Sequence, residues 1–568
     1  MGNTISVCMI ARNEEENIKN SLECARKFAD EIIVVDTGSE DATPEIARSM
    51  GAKVYFFPWC DDFSAARNES LKYATCDWIL WLDADDIIDD VNIERIKELK
   101  KVLPPEKNEA YLFLIETKMV GADEDAYTWY WYQIRMFPNH KEIRFEGKIH
   151  EQVTFSLLRL GIKEKAVNIK ITHTGYIKKE KLMEKLLRNL KLLEEEEKRE
   201  NSFWPKRYLA FSYANLGRID DAIKKIDEAL ELVPKDSPIW IYDLNMTAYE
   251  IKKVKGNWEE VMRHLEEAEK AKPDEGAVNI AKADVFFAKK DYEKALEELE
   301  KAKKKGFGVN LIAVSPDSLI RKYYLGMARV LYHLKKYQES LRHFKKVFEL
   351  SPNFFSRQTE AVDEFVDCAM KIGEYELAYK ILKSIEGKLS PYQLSNLAFV
   401  SEILQKLDEA REYYKKAYEE TEGKIPSVIF NYAQFEFMHG DKKNALELFT
   451  KYLAVVEPSD ENKISILSAL TCVANILLKS GELKASVEIL STACEAAGVR
   501  VYANSISDLA LAWIKISEFF KNPFMKNISF ENAIATLKFA PEEERDIKEK
   551  VIQILKEKTE RLFLSLQQ

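Results

Sequence analysis

The chain has 568 residues, too many for one ordinary core, so two or three domains are expected. At 46% hydrophobic, 11% aromatic and 32% charged, with only 19 Gly and 16 Pro, it is not collagenous, disordered or mostly β-sandwich, and a soluble, helix-rich protein is expected. Its 85 Lys and Arg against 95 Asp and Glu give a net charge of −10, so nucleic acid and anionic lipid are not expected as main partners.

In chain order, Ile5–Ile10 reads as a strand, and ARNEEENIKNSLECARKF after it as a helix. The Arg and Glu run there also argues against a signal peptide. Glu31–Asp36 (EIIVVD) is a second strand, Thr43–Met50 a helix, Lys53–Phe57 a third strand, Ser64–Tyr73 a helix and Trp78–Leu82 a fourth strand. This alternation predicts a Rossmann-like parallel arrangement, in which ligands sit beyond the carboxyl ends of the strands. Those ends lead into Arg12-Asn13-Glu14, Asp36-Thr37-Gly38-Ser39 and Asp83-Ala84-Asp85-Asp86. From Ala110 to Tyr176 the pattern becomes mixed. It includes an aromatic run with Trp129, Tyr130 and Trp131, for which core packing and ring stacking on a ligand both stay open. Residues 1–180 hold 24 basic and 32 acidic residues, so most of the acidic excess lies in the front third.

Beyond residue 180 everything reads as helical, and it repeats. Ala222, Val261, Ala295, Ser340, Ala378, Ala410, Ala445 and Ser486 recur in one phrase design, several units closing on Pro234, Pro273, Pro352 or Pro458. A period of about 34 with a small residue where paired helices touch describes tetratricopeptide repeats. Each two-helix unit buries its apolar face only against its neighbours, and the stack creates a concave surface. Lys/Glu runs such as LLEEEEKRE read as solvated helix faces. The longest uncharged stretch, Ile464–Leu478, is too short to span a bilayer and reads as a buried helix. Seven scattered Cys without a CxxC pair predict reduced thiols and a cytoplasmic location.

The front third resembles family 2 glycosyltransferases of GT-A fold, through ISVCMIARNEEENI, IIVVDTGSEDATPEIA, DDFSAARNESLKYATCDWILWLDADD, RFEGKIHEQV and ITHTGY in family order. The resemblance implies a mixed α/β nucleotide-diphospho-sugar transferase domain over residues 1–180. A tetratricopeptide solenoid of about eight repeats is expected over 181–502, and capping helices over 503–568. It also implies a UDP-sugar donor and Mn²⁺ or Mg²⁺, whose charge offsets the diphosphate. Asp85 and His173 would hold the metal, and Asp83 the ribose or a metal-bound water. Glu14 and Asp36 would contact the nucleoside and Arg67 the donor phosphates, with a surface ion pair also open for Arg67, and Arg12 counts among the donor-binding residues. Glu151 is the implied base of an inverting transfer, with His150 lining the site as its rival.

The domain order is similar to bacterial enzymes that glycosylate proteins or peptides, with flagellin-like or bacteriocin-precursor-like acceptors. The leading expectation is transfer of glucose or N-acetylglucosamine to a protein or peptide docked on the repeats. A saccharide acceptor is the second reading, and a non-catalytic scaffold that binds a nucleotide-sugar the third. The concave surface also suits self-association into a homo-oligomer.

Overall fold

The computed structural model describes residues 3–120, 126–174, 179–306, 315–351, 354–355, 359–500 and 505–567. Gly175 and Tyr176 of the ITHTGY motif, and Pro352, lie outside the described residues. The chain divides into two compact units, Met1–Ala361 and Val362–Gln568.

The first unit opens with β1 (Ile5–Ala11), α1 (Ile18–Ala25), β2 (Glu31–Asp36), α2 (Thr43–Ser49), β3 (Lys53–Phe56), α3 (Phe63–Lys72) and β4 (Trp78–Asp83). It continues with β5 (Asp86–Ile87), α4 (Asp90–Val102), β6 (Glu109–Val120), β7 (Ala126–Pro138), α5 (Thr154–Arg159) and β8 (Lys163–His173). Among the described residues these strands form one eight-stranded sheet in the order β3-β2-β1-β4-β7-β6-β8-β5. The first four are mutually parallel, β7 runs antiparallel to β4 and β6, and β8 runs parallel to β6. The carboxyl ends of β1, β2, β4 and β8 therefore share one edge. All of β2 is buried, as are five of the six residues of β4. Both faces of the parallel core are covered, which is why these strands read as unbroken apolar runs.

The helix expected from residue 11 begins at Ile18. Ahead of it the amides of Asn13, Glu14 and Glu15 are held by Ser39 Oγ, Thr43 Oγ1 and Asp41 Oδ2, and Asn13 takes a left-handed φ of 55°. Bonds to the β2–α2 loop thus replace the first helical turn. Trp129, Tyr130 and Trp131 lie on β7, paired with Thr117, Glu116 and Ile115 of β6.

A long helix, α6 (Lys179–Arg199), leads into four helical hairpins. They are α7 (Phe203–Asn215) with α8 (Ile219–Leu232), α9 (Pro238–Lys252) with α10 (Trp258–Ala271), α11 (Gly276–Ala288) with α12 (Tyr292–Lys305), and α13 (Pro316–His333) with α14 (Tyr337–Leu350). LLEEEEKRE, expected to be a solvated face, is the last part of α6, and its Glu196 is buried. Its neighbour Glu197 is tied to Lys206 and Lys225.

In the second unit α15 (Thr359–Lys371) pairs with α16 (Tyr375–Ser384), α17 (Pro391–Ile403) with α18 (Leu407–Glu420), α19 (Pro426–His439) with α20 (Lys442–Val455), and α21 (Lys463–Lys479) with α22 (Leu483–Ala497). The hairpin of α23 (Ile506–Ser517) and α24 (Pro523–Leu537), then α25 (Arg545–Gln567), complete it. The eight small residues of the repeat phrases all fall on the second helix of a hairpin, and all are buried. A small side chain there lets the two axes approach. Among the described residues no helix is long and apolar enough to cross a membrane.

Candidate active site

Register sets the site. On β1, Ile10 pairs with Asp83 and Ala11 with Asp36, so the two aspartates flank the end of the same strand. After β4 the chain turns tightly, and β5 pairs with the end of β8, bringing Asp86 opposite His173. The result is a cluster of Asp83, Asp85, Asp86 and His173 whose ligand atoms lie within 4.8 Å of one another. Asp86 and His173 stand 87 positions apart in the sequence, and one strand pair brings them together.

The carboxylates of this cluster differ in their partners. Asp86 is fully buried. It accepts from the Asp83 amide (2.8 Å) and from Arg135 Nη1 (2.8 Å), and it faces His173 Nδ1 at 3.0 Å. Asp83 takes Arg67 Nη2 at 2.6 Å and Arg135 Nη2 at 3.4 Å. Burial works against its charge, but the two guanidiniums and His173 overcome that and hold it well below the usual carboxylate range. Asp85 has no guanidinium partner among the described residues, and His173 Nδ1 lies 3.3 Å from its Oδ1. Burial, reinforced by the charges of Asp83, Asp86 and Glu14 against the pull of His173, pushes Asp85 up to about 6. For His173 burial acts downward, yet the hydrogen bond with Asp86 and the charges of Asp85, Asp86 and Asp83 raise it.

Trp81 organises the two arginines. The guanidiniums of Arg67 (4.1 Å) and Arg135 (3.7 Å) both lie over its indole, and its Nε1 donates to Ile134 O at 2.8 Å. A ring face is a favourable surface for a desolvated guanidinium, and both cations are almost fully buried. Arg67 also donates through Nε to Glu151 Oε1 at 2.6 Å, so one side chain joins the acidic cluster to the GKIHEQV segment.

That segment is a small closed loop. Glu146 and Gln152 exchange backbone hydrogen bonds, and Gly147 through Glu151 form the tip between them. Gly147 has a φ of 98°, and His150, although not glycine, has a φ of 56°. The start of α3 braces the tip: Phe63 N–H donates to Lys148 O, and Arg67, one turn later on the same face, reaches Glu151. The ring of His150 stacks on Tyr208 of α7 at 3.8 Å between centroids, with 7° between the planes.

Glu14 and Asp36 sit on the adjoining loops. Glu14 Oε2 accepts from Asn17, and the Asp36 carboxylate accepts from the amides of Gly38 and Ser39. Asn13 links the two loops by accepting from the Glu40 amide. Arg12 is exposed at the end of β1. Of the residues singled out from sequence, Asp83, Asp85, His173, Arg67 and Glu151 are thus joined directly, while Glu14 acts on Asp85 by charge. His150 is turned onto α7, and Asp36 and Arg12 share the edge, with no hydrogen bond or ion pair to the cluster among the described residues. Sequence reasoning missed Arg135 and Trp81, whose only signals were an arginine inside the apolar QIRMF and a second tryptophan in WILWLD.

Residues 6–165 match the model for glycosyl transferase family 2, and residues 255–307 and 322–354 match tetratricopeptide repeat models. A TPR repeat-containing protein of Synechococcus elongatus is 40% identical over 178 residues, covering 30% of this chain and 42% of the relative. The SPbeta prophage-derived glycosyltransferase SunS of Bacillus subtilis is 31% identical over 204 residues, covering 34% of this chain and 44% of the relative. The chain thus spans less than half the length of these curated relatives. Among solved structures, that of PilW, a type IV pilus biogenesis factor, covers 40% of this chain and 98% of its own at 19% identity, with a TM-score of 0.31. Residues 6–165 are a family 2 glycosyltransferase domain, and tetratricopeptide repeats follow it.

Proposed function

We propose that this protein is a metal-dependent, inverting glycosyltransferase that moves a sugar from a UDP-sugar to a protein or peptide acceptor docked on the helical hairpins. The observation that carries this reading is the convergence of Asp83, Asp85, Asp86 and His173 at the strand edge, with Glu151 tied to them through Arg67. Carboxylate oxygens with one imidazole suit Mn²⁺ or Mg²⁺, and Asp85, half-buried among like charges, is the group a cation relieves. Asp85 and His173 would hold the ion, which when bound supplies positive charge to the departing diphosphate.

The chain's own residues do the rest. Asp83, held by two guanidiniums, would hold the ribose or a metal-bound water. Glu14 and Asp36 take the nucleoside, Arg67 the donor phosphates, and Arg12 belongs to the same donor site. Glu151 accepts the proton of the acceptor O–H or S–H as that atom bonds to the anomeric carbon. The bond from that carbon to the diphosphate oxygen breaks, and its electron pair leaves on the phosphate. His150 lines the site. Glucose and N-acetylglucosamine are the favoured sugars. All seven cysteines are free thiols, which supports a reducing, cytoplasmic setting.

The test is donor hydrolysis and acceptor mass shift with a panel of UDP-sugars and Mn²⁺. Asp85→Ala should abolish both reactions. Glu151→Gln should keep donor affinity and lose about 10²–10⁴-fold in transfer. A protein that binds UDP-sugar yet catalyses neither reaction with any acceptor would be a scaffold instead.

A further inference from the structure

The loop that carries Glu151 is held from two sides, and only one belongs to the α/β sheet. From the helical side, Glu196 of α6 accepts the Lys148 amide at 3.1 Å on Oε1, while its Oε2 is buried and makes no hydrogen bond. A Cβ placed on Gly147 would stand 3.2 Å from the same Oε1, so glycine lets the backbone lie against this carboxylate. The Lys148 ammonium pairs with Glu195 at 2.9 Å. Ile149 is buried in a cluster with Leu190, Leu193, Phe203 and Trp204, all from α6 and α7. His150 stacks on Tyr208, which is fixed in turn by the edge of Trp204 at 5.3 Å and the Arg207 guanidinium at 4.8 Å. Arg207 is itself anchored by a bidentate pair with Asp243 of α9. Three consecutive residues, Lys148, Ile149 and His150, thus contact the helical region, and the next residue is Glu151.

We propose that the first helices of the repeat region complete the transferase centre, with Glu196 and Tyr208 as positioning residues that fix loop 147–151 and so aim Glu151. This inference rests on the transferase reading above. A buried, half-satisfied carboxylate is costly to keep where only packing is required, and a left-handed His150 needs its surroundings to hold it. Both features are explained by the demand that one backbone tip stay in one place.

The test uses the full chain and variants that keep bulk. Glu196→Met removes the acceptor without a cavity, and Tyr208→Leu removes the stack while staying apolar. Glu196→Gln and Tyr208→Phe keep the acceptor and the ring. Hydrogen–deuterium exchange of residues 146–152 should speed up by about tenfold or more in the first pair and return towards wild type in the second. In Mn²⁺-supported UDP-sugar hydrolysis, kcat should fall by about 10–100-fold in the first pair with donor KM within about twofold, and the second pair should recover most of it. Unchanged exchange, or faster exchange with kcat intact, overturns the proposal, as does a loss of kcat that Gln and Phe share. If a variant does not melt cooperatively, Gly147→Ala disturbs the same contact from the loop side and is read the same way. If wild type neither hydrolyses nor transfers any UDP-sugar, the transferase reading fails, and exchange alone decides whether α6 and α7 hold the loop.

Discussion

Glu196→Gln should make the first unit more stable above neutral pH and change it much less in mild acid. Burial is the main cause that pushes Glu196 up to about 7. The charges of Glu200 and Asp62 add to it, and the amides of Lys148 and Ile149 oppose it. The Lys148 ammonium gives little relief, because it is paired with Glu195. In the unfolded chain the same carboxyl titrates near its ordinary value of 4.5. Between these values the folded state keeps a proton that the unfolded chain has released, so this contribution is fully present below 4.5 and is lost as pH rises through about 7. At about 1.36 kcal/mol per pH unit, ionisation costs the fold on the order of 3 kcal/mol. The residue is only 6% exposed, so solvent screens little of that. Gln keeps an acceptor for Lys148 and cannot ionise. Urea unfolding of the full chain at about pH 5 and about pH 8, followed by tryptophan emission, reads this out. Trp204 and Trp240 lie in or against the cluster beside Glu196, and the transition that moves them is the one to score, because a chain of two units does not unfold in one step. The variant should gain about 3 kcal/mol on wild type at the higher pH and less than about 1 kcal/mol at the lower. Parallel pH curves for the two proteins would refute the reasoning.

Other consequences are as specific. Arg67→Met strips Glu151 of its guanidinium and leaves Asp83 with Arg135 alone. It should cost about 3–5 kcal/mol in unfolding and abolish donor hydrolysis, and Arg67→Lys should restore little, since an ammonium cannot fork between two carboxylates. Mn²⁺ at about 100 times its dissociation constant should stabilise the first unit by about 2.7 kcal/mol in a thermal melt, and both chelation and Asp85→Ala should erase the shift. A Cβ at Gly276 would lie 2.3 Å from Gly306 O and 2.7 Å from Ala302 O at the end of α12. Gly276→Ala should therefore lower the urea midpoint by the equivalent of about 1–3 kcal/mol, and an unchanged midpoint would mean that the hairpin yields freely. A chain cut after residue 180 loses Glu196, Tyr208 and the pocket for Ile149. It should lose donor hydrolysis together with transfer, whereas an arm that only docks acceptor would leave hydrolysis intact.

What could be read in the sequence was whatever depends on local period. The strands Glu31–Asp36 and Trp78–Asp83 stand out because both faces are buried, and the small residues of the repeats because each hairpin reuses the same contact. The acidic cluster was legible for a related reason: a strand end is easy to find, and a loop after it has one edge to occupy. Pairings set by sheet order were not legible. Arg135 meets Asp86 only because β7 returns antiparallel beside β4, and nothing near QIRMF announces a carboxylate 49 residues away. Glu196 was hidden by its company. In a run of four glutamates, Glu195 and Glu197 answer lysines, and only the burial of the one between them separates it from a solvated face.

The charge arithmetic of the front third acquires a location. Five carboxylates, Glu14, Asp83, Asp85, Asp86 and Glu151, meet at or beside one sheet edge, and two buried guanidiniums answer three of them. Had all five been paired, the edge would be a structural ion cluster, and a diphosphate would find only neutralised groups there. Had none been paired, mutual repulsion at these distances would hold the loops apart. Trp81 resolves this by giving both arginines a surface on which to lose their water, so that Asp83 and Asp86 are fixed and the shortfall falls on Asp85. The same Arg67 that settles Asp83 reaches Glu151, and Glu151 is held in turn by a loop resting on α6 and α7. Force applied to the first repeat hairpin therefore has a short path to the proposed base: Tyr208, the loop tip, Glu151, Arg67. Under the proposed reading, an acceptor that binds the hairpins and shifts α7 would act on the base through packed contacts, and the repeats would then take part in the chemistry.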